Sequence, residues 1–173
     1  MDENLFKLDP RRAGDVKRYH AHPCIHPQDV GNHTWNVMRI MTTIWPNCPR
    51  ELLLYAIYHD ITEGVVGDIP YPTKLSSPKM KALCDMLEEE AYMNMKEGWG
   101  VPELPKLTPE QKEFFKACEL VEFFEYAANE FNMGNTHARI IVQRVVPRIA
   151  EYAKTNPMFK EYISRRMEYD ISA

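Results

Sequence analysis

Histidine and aspartate stand side by side at His59 and Asp60, near the end of the apolar run LLLYAIY, and Glu63 and Asp68 follow them. On the buried face of a helix such a pair is costly. A neutral polar group left unpaired loses about 2–7 kcal/mol on transfer from water, and a carboxylate far more. A divalent metal ion satisfies both at once, with an imidazole nitrogen and a carboxylate oxygen as ligands. A further histidine, His33 in the tripeptide NHT, stands upstream. An isolated His-Asp dipeptide is most often a solvated surface pair, so its weight comes from what surrounds it.

What must position these residues is a set of helices. Apolar residues recur at helical spacing and strand-like alternation is scarce, which predicts an all-α bundle. A short helix is expected over 13–19, followed by the loop HAHPCIHP, where prolines and histidines break any period. A helix over 29–45 carries Val30, His33, Val37, Ile40, Met41 and Ile44 on one side. The run over 51–62 is apolar enough to be a central helix, closed by Gly64 and Gly67. GDIPYPTKLSSP reads as a loop. Ser77 and Pro78 supply a cap and a first-turn proline for a helix to residue 96. Its stripe of Met80, Leu83, Cys84, Leu87, Ala91 and Met95 marks core or a subunit interface.

Thr108-Pro109-Glu110-Gln111 matches a capping box opening a helix to residue 131. Helices over 136–154, bent near Pro147, and 157–168 complete the chain. No repeat or internal boundary interrupts it, so residues 1–173 are expected to form one domain. In this topology His59 and Glu63 share a helix face, and Asp68 and Lys74 come from the following loop. These pieces converge if they meet at one end of the bundle, where metal sites are built from facing helices.

Composition narrows the partners. The chain has 173 residues, 45% hydrophobic and 27% charged, with a net charge of −4. That balance argues against a broad basic surface for duplex nucleic acid. No apolar run approaches the ~20 residues needed to span a membrane. The N-terminal MDENLFKLDPRR has no apolar stretch, so no signal peptide is expected. Cys24, Cys48, Cys84 and Cys118 lie far apart and form no C-x-x-C, as expected of free thiols in a reducing compartment. The expected location is the cytoplasm, including that of a virus-infected cell.

The two richest stretches resemble a known family. RYHAHPCIHPQDVGNHTWNV is similar to the opening block of the HD-domain metal phosphohydrolases of the 5′-deoxynucleotidase group: an Arg and an aromatic, then a loop into a metal-binding His. YHDITEGVVGDIPYPTK is similar to their central block, H-D-x-x-E followed by G-D-x-P-x-x-x-K. The short length and this loop also resemble small phage enzymes of the group that strip triphosphate from dATP. The resemblance implies an HD-domain helical bundle. It implies that His33, His59 and Asp60 are metal ligands, with Glu63 beside the hydrolytic water and Asp68 near the leaving 5′ oxygen. It places Arg18 and Lys74 on phosphate and Tyr19 against the sugar, where many relatives carry Trp. The fourth family ligand is an Asp on a later helix. Here KACELVEFFEYA puts Glu119 at that position, one methylene longer, with the thiol of Cys118 beside it.

The cofactor so implied is a divalent ion, Zn, Co, Mn or Mg. It would screen phosphate charge and activate water, while Glu63 or Asp68 handles the proton. The favoured reaction is dATP plus water to deoxyadenosine plus triphosphate. The alternative is release of phosphate from deoxynucleoside monophosphates. Tyr19 and the HAHPCIHP loop are expected to close over the sugar and reject a ribose 2′-OH, with Ile25, Pro70 and Pro72 as walls around the nucleoside and Gln28 as a donor or acceptor for the base. A homo-oligomer, dimer or hexamer, is expected. A guanosine-tetraphosphate hydrolase of the same superfamily fits less well, because Ile61-Thr62 stands where those enzymes carry an acidic pair after the HD dipeptide. The competing class is a helical module that binds nucleotide or protein without turnover.

Overall fold

A single 3-10 turn, Pro10–Asp15, precedes eight α-helices among the described residues of this computed structural model, which are 9–172 with side chains through 166. In chain order they are α1 (Val30–Ile44), α2 (Arg50–Tyr58), α3 (Glu63–Val66), α4 (Tyr71–Lys74), α5 (Pro78–Trp99), α6 (Pro109–Asn132), α7 (Ala138–Thr155) and α8 (Pro157–Ser172). The N-terminal segment MDENLFKL, read above as carrying no signal peptide, lies outside the described residues.

The helix starts follow from local chemistry. Asp29 accepts the Asn32 N–H at the head of α1, and Ser77 accepts the Met80 N–H at the head of α5. Thr108 and Gln111 form the reciprocal capping box that opens α6. Helix α5 runs through Trp99 and stops at Gly100, whose left-handed φ of 67° needs no Cβ.

The expected stripe of α1 is buried in full, His33 included. It packs against α6, which also meets α2 and α7. Phe115, Val121 and Phe124 of α6, Leu52 and Ala56 of α2, Ile149 of α7 and Phe159 of α8 share that core. Leu52 is fully buried near the start of α2, away from the polar end. Leu52→Ala is therefore expected to destabilise the protein by roughly 2–5 kcal/mol. Chemical denaturation would read that loss, with turnover per folded molecule retained.

Four expectations change. The helix over 13–19 is instead the 3-10 turn, and Val16 is extended. Lys17 pairs in an antiparallel bridge with Asp29, and the Arg18 N–H donates to Gln28 O at 2.8 Å, so the strand-like stretch hands the chain to the histidine loop. The helix expected over 51–62 ends at Tyr58, and α3 restarts at Glu63. Gly64 does not terminate a helix. A Cβ there would stand 2.9 Å from Ala13 N, so its role is close approach of α3 to the 3-10 turn. The loop after Gly67 contains the one-turn α4. On α5, Cys84, Ala91 and Met95 are buried, while Leu83 and Leu87 of the expected stripe are exposed together with Met86.

Candidate metal centre and active site

The early end of α2 decides the site. His59 is its C-cap, and His59 and Asp60 leave the helix together toward α1 and α6. His59 Nδ1 lies 2.8 Å from Ala56 O, a contact that requires the proton on Nδ1 and leaves Nε2 as a lone-pair donor. His33 is arranged in the same way, with Nδ1 2.7 Å from Glu122 Oε2. Both Nε2 atoms are buried without a hydrogen-bond partner. His59 Nε2 lies 3.1 Å from Asp60 Oδ2 and His33 Nε2 lies 3.8 Å from the same oxygen.

Two imidazole lone pairs converging on one carboxylate oxygen repel unless a cation sits among them. One donor atom from each of His33, His59 and Asp60 falls within 4.8 Å of the others, the span a single ion can bridge. The donor set therefore fits a divalent metal. Glu119 adjoins it, with Oε1 3.5 Å from His59 Nε2 and Oε2 2.7 Å from Lys116 Nζ. Cys118 is buried, and burial pushes its thiol well above the ordinary range, which disfavours a thiolate ligand.

Charges around the centre are strongly perturbed. Burial raises the Asp60 carboxyl, but His59, His33 and Arg18 outweigh it and hold the group below the usual carboxylate range. Burial lowers the His59 imidazole, and Asp60 and Glu119 more than reverse this. Glu63 is buried with Oε2 unpartnered. Burial first, then the charges of Asp60 and Asp68, push its carboxyl up to about 8, against the pull of Arg18 and Lys74. A carboxyl poised near neutral pH suits proton handling.

The substrate side is formed by the histidine loop and the α3–α4 region. Arg18 donates from one terminal nitrogen to Asp60 Oδ2 at 3.0 Å. Tyr19 holds a left-handed backbone, φ 58°, uncommon for an aromatic residue. That twist lets its N–H donate to Asp68 Oδ2 at 3.2 Å. Its ring stacks on Phe123 and Tyr126 of α6, at centroid distances of 5.4 and 4.8 Å. Lys74 donates to Glu88 Oε1 at 2.6 Å and is half-buried.

Ile25 and Gln28 are both held by glutamates of α6. The Ile25 side chain is exposed, and the residue is held through its N–H on Glu130 Oε2 at 2.8 Å. Gln28 is buried and its Nε2 donates to Glu122 Oε1 at 2.6 Å, so that N–H is not offered to a base. His20, His22, His26 and His137 are all exposed, with His20 Nδ1 3.8 Å from Asp68 Oδ2.

Two buried glutamates escaped sequence reasoning. Glu122 backs His33. Glu130 anchors the histidine loop by accepting the Ile25 and His26 N–H groups and the Asn135 amide. The signal was present: both stand on a helix face shared with Val121, Phe124, Ala127 and Ala128, where a charge is out of place without a partner.

Known proteins share this frame. Residues 11–167 match the model of the YfbR-like 5′-deoxynucleotidase family. A dATP triphosphohydrolase of Cyanophage S-2L is 27% identical over an alignment of 122 positions that covers 64% of this chain and 63% of that protein. The structure of the Cyanophage S-2L HD phosphohydrolase DatZ, bound to dA and one catalytic zinc ion, superposes with a TM-score of 0.68 at 17% identity. It covers 100% of this chain and 98% of its own. An HD-domain phosphohydrolase from Listeria innocua superposes at 0.76 with 16% identity, over 99% of this chain and 89% of the other. The all-α HD-domain fold is thus common to all three. With the family model spanning both the Arg18–His33 and the His59–Lys74 blocks and reaching past Glu119, the chain belongs to the YfbR-like 5′-deoxynucleotidase family.

Proposed function

We propose that this protein hydrolyses deoxynucleotide 5′ phosphate esters with a divalent metal ion, and that its reaction is dATP plus water to deoxyadenosine plus triphosphate. The observation that carries the metal reading is the pair of buried, unpartnered Nε2 atoms of His33 and His59 facing Asp60. Glu119 is the fourth ligand in this reading. A bound ion supplies Lewis acidity and an activated water. Zinc is favoured among Zn, Co, Mn and Mg, on the strength of the zinc ion in the cyanophage protein.

The chain's own residues do the rest. Arg18 turns its guanidinium to the phosphate oxygens, and Lys74 adds a point charge. Glu63 exchanges a proton with the water. Asp68, steadied by the Tyr19 N–H, relays to the departing 5′ oxygen a proton that the attacking water gives up. Tyr19, fixed by its two aromatic neighbours, offers a rigid surface to the sugar, and Ile25 stands at the loop as a wall. The cyanophage relative's action on dATP supports the triphosphate substrate. The family's 5′-deoxynucleotidase description supports the second reading, release of phosphate from deoxynucleoside monophosphates. Both break the bond between phosphorus and the 5′ oxygen.

The test is turnover of dATP, ATP, dGTP and dAMP by one preparation, with products separated by chromatography. Triphosphate from dATP, with ATP and dAMP nearly inert, is the expected result. Phosphate from several monophosphates with inert dATP selects the second reading, and no product from any of them selects a binding module. Exposed Leu83, Met86 and Leu87 on α5 support a homo-oligomer, dimer or hexamer, which light scattering would detect. No described helix is long and apolar enough to cross a membrane. The phage relative supports action in the cytoplasm of an infected cell.

A further inference from the structure

The two candidate histidine ligands are backed unequally. His59 rests its Nδ1 on a neutral carbonyl, Ala56 O. His33 rests its Nδ1 on a carboxylate, Glu122 Oε2, at 2.7 Å. Glu122 and His33 are each 2% exposed and Gln28 is 4% exposed, so the whole arrangement is shut off from water. Gln28 Nε2 donates to the other carboxylate oxygen at 2.6 Å and stops the group from rotating.

A buried carboxylate is destabilising unless its charge is balanced. Its two partners here are a neutral amide and an imidazole whose far nitrogen faces the metal cluster. A cation bound beyond His33 Nε2 would balance it across the ring. A carboxylate behind a ligand imidazole also fixes the tautomer, sets the ring plane and makes Nε2 a stronger donor.

We infer that Glu122, clamped by Gln28, is the positioning residue of the metal centre, holding His33 as the stronger of its two histidine donors. The inference depends on the divalent-metal reading above. Glu122 holds His33 with one oxygen and accepts from Gln28, at the foot of the histidine loop, with the other, so its link to the candidate centre runs through His33.

Glu122→Gln keeps the shape and a neutral acceptor, which makes His33 resemble His59. Zinc affinity, read by competition with a chromogenic chelator, is expected to fall about 10–100-fold. The visible absorption of the cobalt-loaded variant is expected to shift relative to the cobalt-loaded wild type. Circular dichroism of the metal-free variant is expected to match that of the metal-free wild type. Gln28→Leu leaves the carboxylate in place but frees it to rotate, and is expected to weaken zinc binding in the same direction by less. Wild-type zinc affinity and an unshifted cobalt spectrum in folded Glu122→Gln overturn the inference. Should that variant fail to fold, wild-type affinity in Gln28→Leu overturns it equally. Wild-type protein that takes up no zinc overturns the metal reading itself, an outcome distinct from either.

Discussion

Replacing His59 by alanine is expected to lower turnover by more than about 10³-fold, a loss of roughly 4 kcal/mol in transition-state stabilisation. The size follows from what the side chain holds. His59 Nε2 lies 3.1 Å from Asp60 and 3.5 Å from Glu119, so it links the candidate loop ligand to the candidate α6 ligand. Without it, Asp60 and Glu119 face each other across a space with one imidazole fewer, and the ion loses a donor and its geometry together. Electrostatic screening of the phosphate and activation of the water then fail as one. The ring also packs edge-on against Phe115 at 5.0 Å, so alanine leaves a cavity as well. His59→Gln, closer in volume, separates the two effects: it should keep the thermal midpoint near wild type yet still lose metal. Bound metal after dialysis, by elemental analysis, and initial rates on dATP give the two readouts. Full activity of His59→Ala in the presence of EDTA would falsify the assignment.

Much of this site was legible because its signals are local. Ser77-Pro78 and the Thr108–Gln111 box name their helix starts without help from the rest of the chain. His33 could be placed on the buried side of α1 because the stripe around it repeats at helical spacing. The end of α2 was not legible. Ile61 and Thr62 are buried, so the apolar pattern runs on past Tyr58. Ile61 belongs, however, to a separate cluster with Ala13, Met95 and Val101, and tertiary packing there draws the chain out of the helix. The break at His59 is what aims His59 and Asp60 at the same point.

The Arg18-Tyr19 segment was misjudged for a related reason. A helix over 13–19 satisfies the local pattern, but pairing of Val16–Arg18 with Gln28–Val30 satisfies the same backbone groups and turns Tyr19 into the left-handed region. The bond from Gln28 to Glu122 was not legible, because the two residues lie 94 apart along the chain. Glu122 itself reads as a solvated helix residue until His33 is packed against it. Long-range polar pairs leave only a weak trace in a single sequence: a charge in an apolar face.

Asp68→Asn is expected to lower kcat on dATP by about 10²–10⁴-fold, the usual contribution of a positioned acid or base, while KM stays near wild type. The separation is possible because of how Asp68 is held. It follows Gly67, whose φ of 77° turns the chain out of α3 and toward the histidine loop. Its Oδ2 accepts the Tyr19 N–H, and an asparagine oxygen accepts the same bond, so the strained Tyr19 backbone and its aromatic stack should persist. Phosphate grip by Arg18 and Lys74 is untouched, since those side chains bond to Asp60 and Glu88. What asparagine cannot do is pass on a proton, which the 5′ oxygen needs as its bond to phosphorus breaks. A substrate in which 4-nitrophenolate replaces the nucleoside 5′ oxygen on phosphorus, such as 4-nitrophenyl phosphate, needs no proton on its leaving group and should therefore lose far less rate in Asp68→Asn than dATP does. An equal loss on both substrates, or a raised KM with kcat intact, would show that Asp68 positions the substrate and that protonation of the leaving oxygen has another source.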